Sequence, residues 1–238
     1  MRSQSPQHLS HGRRKAWDTA SVLLDEPAAT GTAPAEAGPA AGAAGGGGGR
    51  MDFAAIFGNA RPVEVEVGAG KGTFLLARAT ARPEINFLGI EWARAYCMYA
   101  ADRVRRAGLT NVRMLRADAG PLFKDRLADG SVWRVHIYFP DPWPKTRHHR
   151  RRLIQPAFVG EVRRVLRPGG ELLIVTDHLG YFEHIRRVFA EPAGARGFVP
   201  IAFPQMADKS GETVGSNFER KYIAQGRPVY KLAFLRSG

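Results

Sequence analysis

The stretch Pro62-Val63-Glu64-Val65-Glu66-Val67-Gly68-Ala69-Gly70-Lys71-Gly72-Thr73 reads as a strand, a glycine turn and the start of a helix. Pro62–Val67 alternates Val with Glu, the period of an extended segment. The glycines after it permit positive φ and a close approach of backbone to a bound group. From Thr73 to about Ala81 the spacing turns helical. The turn departs from two familiar phosphate-binding loops. A G-x-G-x-x-G fingerprint needs its third glycine where Thr73 stands, and in a Walker A loop Lys71 would precede Ser or Thr, not Gly72. Taken alone, the loop does not establish a nucleotide-like ligand.

Downstream, short apolar runs alternate with helical patterns. Ile85–Ile90 reads as a second strand ending in Glu91. A helix follows over about residues 93–107, with Tyr96, Ala100, Val104 and Ala107 on one stripe and Gly108 at its C-cap. Val112–Leu115 is a short third strand that ends near Asp118, and Val132–Phe139 a fourth that stops at Pro140. Gln155–Leu166 has a helical pattern with Pro156 in its first turn, until Arg167-Pro168-Gly169-Gly170 breaks it. Glu171–Thr176 is a fifth strand and leads into a helix carrying Leu179, Phe182, Ile185 and Phe189. Phe198–Phe203 and Val229–Leu235 supply two closing strands. This alternation predicts an α/β fold with a doubly wound, mostly parallel, Rossmann-like sheet. Ligands of such sheets lie beyond the carboxyl ends of the strands. Glu66, Glu91, Asp118, Asp141 and Asp177 mark those ends. A single acid there is most often a helix N-cap; five in series point to a site.

Upstream, residues 27–49 are almost entirely Ala, Gly, Pro and Thr and bury too little apolar surface to order themselves. Residues 1–50 are therefore expected to be a low-complexity tail, and residues 51–238 the folded domain. The 238 residues hold 35 Lys+Arg against 22 Asp+Glu, a net charge of +13, nearly all of it in the expected domain. A charge of that size favours a polyanionic partner. The single cysteine, Cys97, excludes a disulfide scaffold, suits a reducing cytoplasm and falls in a helical pattern that makes it core. No apolar run reaches the roughly 18 residues of a membrane span, and nothing at the N-terminus reads as a signal peptide.

Phe139-Pro140-Asp141-Pro142-Trp143-Pro144-Lys145-Thr146-Arg147-His148-His149-Arg150-Arg151-Arg152 carries the specificity. Its prolines fix φ and stiffen the loop around Asp141 and Trp143. Five basic residues then fall between Lys145 and Arg152 with no acid among them. A held carboxylate and an indole beside a cationic strip suit an enzyme that works on a nucleic-acid base, with phosphates on the strip. Trp143 fits packing and stacking equally. His148 and His149 read as surface or backbone contacts, and no spacing of ligands implies a metal. Glu64, on one strand face with Glu66, has no evident partner.

The loop at Glu66–Gly72, the strand-two acid Glu91, the pair Ala117-Asp118 and the element at Leu166–Gly170 together resemble the class I S-adenosylmethionine-dependent methyltransferases. The Phe139–Arg152 segment closely resembles the P-D-P-W-P-K-x-R-H-x-K-R-R signature of the tRNA (guanine-N7)-methyltransferases, with Arg150 in place of Lys. That resemblance extends over Phe53–Leu235. It includes Phe57-Gly58-Asn59, Val175-Thr176-Asp177 and Ser216-Asn217-Phe218-Glu219, where the family usually begins with Thr. Arg13-Arg14 echo the family's basic N-terminal arm; the Ala/Gly tract does not match it. The resemblance implies S-adenosylmethionine as cofactor, held by Glu66, Gly68, Gly70, Glu91, Asp118 and Asp141. It implies Asp141 as the catalytic acid, and Lys145, Asp177, Ser216, Asn217, Phe218 and Glu219 on the substrate nucleotide. Arg147, Arg150, Arg151 and Arg152 would meet the RNA backbone of a tRNA methylated in its variable loop. Two other classes stand beside this one. A methyltransferase for another RNA or a non-RNA substrate would have a neutral mouth if its substrate were a protein or small molecule, and a non-catalytic RNA-binding module would lack the acids on the cofactor edge.

Overall fold

A computed structural model describes residues 19, 21–24, 49–191, 197–207 and 211–238. All of the expected linker at 27–49 except its last residue, and the basic pair Arg13-Arg14, lie outside the described residues. The elements run β1 (Leu23–Leu24), α1 (Phe53–Phe57), β2 (Val63–Val67), α2 (Thr73–Ala81), β3 (Asn86–Ile90), α3 (Arg94–Arg106), β4 (Val112–Leu115), α4 (Ala119–Asp125) and β5 (Val132–Tyr138). A 3-10 turn (Thr146–Arg151) follows, then α5 (Pro156–Val165), β6 (Leu166–Thr176), α6 (Leu179–Ala190), β7 (Phe198–Ile201), α7 (Asn217–Ala224) and β8 (Tyr230–Arg236).

The strands form one eight-stranded sheet in the order β1-β4-β3-β2-β5-β6-β8-β7. It is parallel from β1 to β6, with β8 antiparallel to β6 and β7 antiparallel to β8. From β2 the chain winds outward through β3 and β4, then returns to lay β5 on the other side of β2. That reversal opens a crevice at the carboxyl ends of β2 and β5. Helices cover both faces. Val65, Leu88, Val135 and Ile174 pack with Phe123, Phe158, Val162 and Ile185 on one, while Phe87 and Met114 pack with Leu75, Ala100 and Val104 on the other. Cys97 is buried in this second layer.

Four local differences from the expected pattern have physical reasons. First, β1 lies within the stretch expected to be tail: Leu23 and Leu24 pair with Met114 and Leu115, and Val22 is buried. Second, β6 begins at Leu166, not Glu171. Its register on β5 jumps from Val132↔Leu166 to Arg134↔Glu171, so Arg167–Gly170 bulge within the strand rather than break before it. Gly169 takes φ +74° there, and a Cβ on Gly170 would meet the carbonyls of Arg167 and Trp133 at 2.8 Å. Third, α4 forms between the third and fourth expected strands, where the pattern assigned no element; Asp118 caps it by accepting from Gly120 N at 2.9 Å. Fourth, Leu179 is exposed at the start of α6, whose buried side is Tyr181, Ile185, Val188 and Phe189.

Candidate active site

The turn after β2 is the donor side of the crevice. Gly68 and Gly70 adopt φ of +78° and +54°, and a Cβ on Gly68 would meet nothing within 4 Å. The left-handed backbone therefore leaves open space above the loop. Gly72 has a different role: a Cβ there would lie 3.0 Å from Ala100, so it permits α2 to pack on α3. Glu91 braces the loop by accepting from Gly70 N and Ala93 N, both at 2.8 Å. Glu66 is buried beside it with Oε2 unpartnered among the described residues. Burial, and then the charge of Glu91, push its carboxyl well above the usual carboxylate range. A buried acceptor lacking a donor, under a loop open to a ligand, fits the cationic amino group and sulfonium of S-adenosylmethionine. Asp118 stands exposed at the mouth as the cap of α4. Among the described residues no group of three His, Cys, Asp or Glu has the geometry of a metal site. None of their helices is long and apolar enough to cross a membrane.

Beneath this floor Glu64 finds its partners. It is fully buried and meets Arg78 at 3.4 Å, Arg134 at 3.2 Å and His136 Nε2 at 2.8 Å. Burial opposes its charge, but the His136 hydrogen bond and the cations of Arg78 and Arg134 hold its carboxyl at about 2. Burial keeps His136 neutral, so its Nε2–H donates to Glu64 while Nδ1 accepts from the Tyr138 hydroxyl at 2.7 Å. Burial also keeps that hydroxyl protonated. Arg134 is further paired with Glu171 at 2.6 Å.

The acceptor side begins where β5 ends. Phe139 turns the chain with φ +53°, its N–H donating to Val175 O at 2.7 Å, and Asp141 follows exposed between its prolines. Arg152 corrects the sequence reading. It is buried, not presented to RNA: its Nε donates to Pro142 O at 2.9 Å, a second N–H reaches Gly180 O at 3.3 Å, and the guanidinium lies 5.0 Å from the Tyr181 ring. This side chain fastens the Asp141 loop to α6. Lys145, Arg147, Arg150 and Arg151 remain exposed along the 3-10 turn. Trp143 packs within it, with Arg151 5.1 Å from its ring and His148 edge-on at 5.9 Å.

The C-terminal segment closes the third side. Ser216 and Glu219 were expected on the substrate, but they are engaged within the segment itself, Ser216 as the cap of α7 and Glu219 on the turn before it. Ser216 Oγ accepts from Glu219 N at 3.0 Å, and the buried Glu219 carboxylate accepts from the amides of Thr213, Val214 and Gly215 at 2.6, 2.9 and 2.8 Å. Asn217 instead reaches across to the donor side, its Nδ2 donating to Thr73 Oγ1 at 2.9 Å. Phe218 is exposed beside Phe139 and Tyr222. Asp177, which a helix cap would have explained, is paired with Arg227; the cap of α6 is His178. The sequence reading missed Phe139, Tyr222, Thr73 and Arg227. Only the aromatics at 218 and 222, one helical turn apart, carried a signal. A separate hollow of about 480 Å³, lined by Arg61, Trp133 and Arg167 among others, lies at the opposite, amino ends of β2 and β5.

The family model described as "Putative methyltransferase" matches residues 60–232. A tRNA (guanine-N(7)-)-methyltransferase of Rhodopirellula baltica is 41% identical over 186 residues, covering 76% of this chain and 68% of that one. The protein of the same name from Bacillus licheniformis is 37% identical, covering 74% of this chain and 82% of that one. Among solved structures, the 16S rRNA (adenine(1408)-N(1))-methyltransferase from Catenulisporales acidiphilia superposes with a TM-score of 0.55 at 17% identity, over 76% of this chain and 88% of that one. An aminoglycoside resistance methyltransferase superposes with a TM-score of 0.52 at 20% identity, over 74% of this chain and 87% of that one. These two share the fold. The family match and the relatives go further: the chain belongs to the tRNA (guanine-N7)-methyltransferase family, which uses S-adenosylmethionine as methyl donor.

Proposed function

We propose that this chain transfers a methyl group from S-adenosylmethionine to N7 of a guanine in the variable loop of tRNA, in the cytoplasm. The observation that carries the reading is the Asp141 loop. It is fastened by Arg152 at the crevice mouth and runs directly into the exposed cations of the 3-10 turn. Bound over the glycine turn, the cofactor supplies an electrophilic methyl group. Glu66 takes its amino group, Gly68 and Gly70 let it approach the backbone, and Glu91 and Asp118 face its adenosine. Guanine N7 has a free lone pair, so no base need remove a proton first, and the protein acts by alignment and charge placement. Asp141 orients the guanine through its N–H edge and stabilises the positive charge that grows on the ring. Lys145, Asp177, Asn217 and Phe218 contact the nucleotide, while Arg147, Arg150 and Arg151 take backbone phosphates. Ser216 and Glu219 hold that segment in shape.

Labelled cofactor and an unmodified tRNA transcript test the reading. Label enters the variable-loop guanine and is lost when 7-deazaguanine replaces it; transfer that persists with the deaza base excludes N7 as acceptor.

Glu66 carries a prediction of its own. Its folded pKa is raised, so its stabilising effect is complete below 4.5 and is lost as pH rises. Glu66→Gln mimics the protonated form, and at neutral pH it should raise the melting temperature of the ligand-free protein by about 2–4 °C. The same change should weaken S-adenosylmethionine binding roughly tenfold or more, because a charged hydrogen bond is lost. Scanning calorimetry and titration calorimetry measure the two effects, and a ligand-free variant that melts earlier than the parent counts against this role.

A further inference from the structure

Three aromatic rings meet at the crevice mouth. Phe139 lies 5.4 Å from Tyr222 and 6.1 Å from Phe218, and Phe218 and Tyr222 stack at 6.1 Å and 29°. Phe218 is nevertheless 52% exposed. A lone exposed aromatic needs no explanation, but this one is backed by two rings and bordered by functional groups on three sides. Asn217, its neighbour, is tied to Thr73 at the head of α2. Phe139 stands two residues before Asp141. Tyr222 lies under Arg227, which pairs with Asp177. A flat apolar face between the cofactor turn and two carboxylates suits a planar heterocycle with N–H donors. Because an aromatic face attracts cations, it suits that heterocycle best when positively charged.

We infer that Phe218, backed by Phe139 and Tyr222, is a stacking platform that holds the acceptor guanine more tightly as its ring becomes cationic. The inference rests on the guanine-N7 reading above. In that transfer the N7 lone pair forms the new N–CH3 bond, the S–CH3 bonding pair stays on sulfur, and the positive charge passes from sulfonium to the imidazole ring of guanine. No proton leaves. A platform that favours the cation therefore binds the transition state and product over the neutral substrate, which accelerates the step rather than merely improving binding.

The test uses the full chain saturated with S-adenosylhomocysteine. Two tRNA transcripts are compared, identical except for guanine or 7-methylguanine at the acceptor position. The wild-type protein should bind the methylated transcript about threefold to thirtyfold more tightly. Phe218→Leu keeps the apolar bulk and removes the ring; it should bring that ratio to about one and slow single-turnover transfer about tenfold, while Phe218→Tyr restores both. A leucine variant with the wild-type ratio overturns the platform. The two readings fail separately: wild-type transfer to a 7-deazaguanine transcript removes the N7 reading and the platform with it. Strict need for N7, together with a leucine variant that matches the parent, removes the platform alone.

Discussion

Asp141→Asn should lower single-turnover methyl transfer by about a hundredfold or more, the scale seen when one group placed on developing charge is removed. The amide keeps the shape of the side chain but not its charge, and it turns a donor toward the N–H edge of the base. The change should leave the protein folded. Asp141 is exposed, and the loop around it is held by Pro140, Pro142 and the Arg152 bond to Pro142 O, none of which involves the carboxylate. The melting temperature and the affinity for tRNA should therefore stay near those of the parent. Transfer rates at saturating tRNA and cofactor check this; a near-parental rate would overturn the assignment of Asp141.

Glu64→Gln should have the largest effect on stability, about 3–5 kcal/mol, because a buried ion cluster loses the carboxylate that Arg78, Arg134 and His136 share, while Glu171 pairs with Arg134 alone among these three. Arg134 and Arg78 are themselves largely buried, so water cannot replace the lost charge. The pH dependence follows from the same group. Its folded pKa of about 2 lies below the ordinary 4.5, so the stabilisation is fully present above pH 4.5 and is lost as pH falls toward 2. A shift of that size corresponds to about 3 kcal/mol. His136, kept neutral by burial, adds to acid sensitivity because protonation favours the unfolded chain. Urea unfolding at pH 7 and pH 3 should bring the variant and the parent closer together at the lower pH; a gap that widens in acid contradicts this account of Glu64.

The fold was legible wherever a short-range pattern dictated it. Thr73–Ala81 and Val112–Leu115 match their expected bounds because spacing and β-branched content are local properties. Glu91 and the open glycines were legible for the same reason: a strand end followed by a turn fixes where they face. Other features depend on partners distant in sequence. Glu64 is satisfied by residues 14, 70 and 72 positions away, brought together only by sheet register. Arg152 looks like the last member of a cationic run. Its burial is set by Tyr181 and Gly180, which no periodicity connects to it. Leu23–Leu24 is too short to read as a strand until β4 is beside it.

The closure of Glu219 on the amides of residues 213–215 determines which replacements this segment tolerates. What position 216 supplies is one oxygen for the N–H of Glu219. Exchange between Ser and the Thr more usual in the family keeps that oxygen, whereas Ala would orphan a buried amide. Position 219 is stricter. Gln would offer a single acceptor oxygen to three donors and turn an NH2 group against amides that also donate. A substitution matrix scores Ser to Thr and Glu to Gln as similarly mild. In this turn the first is silent and the second dismantles the frame that presents Phe218.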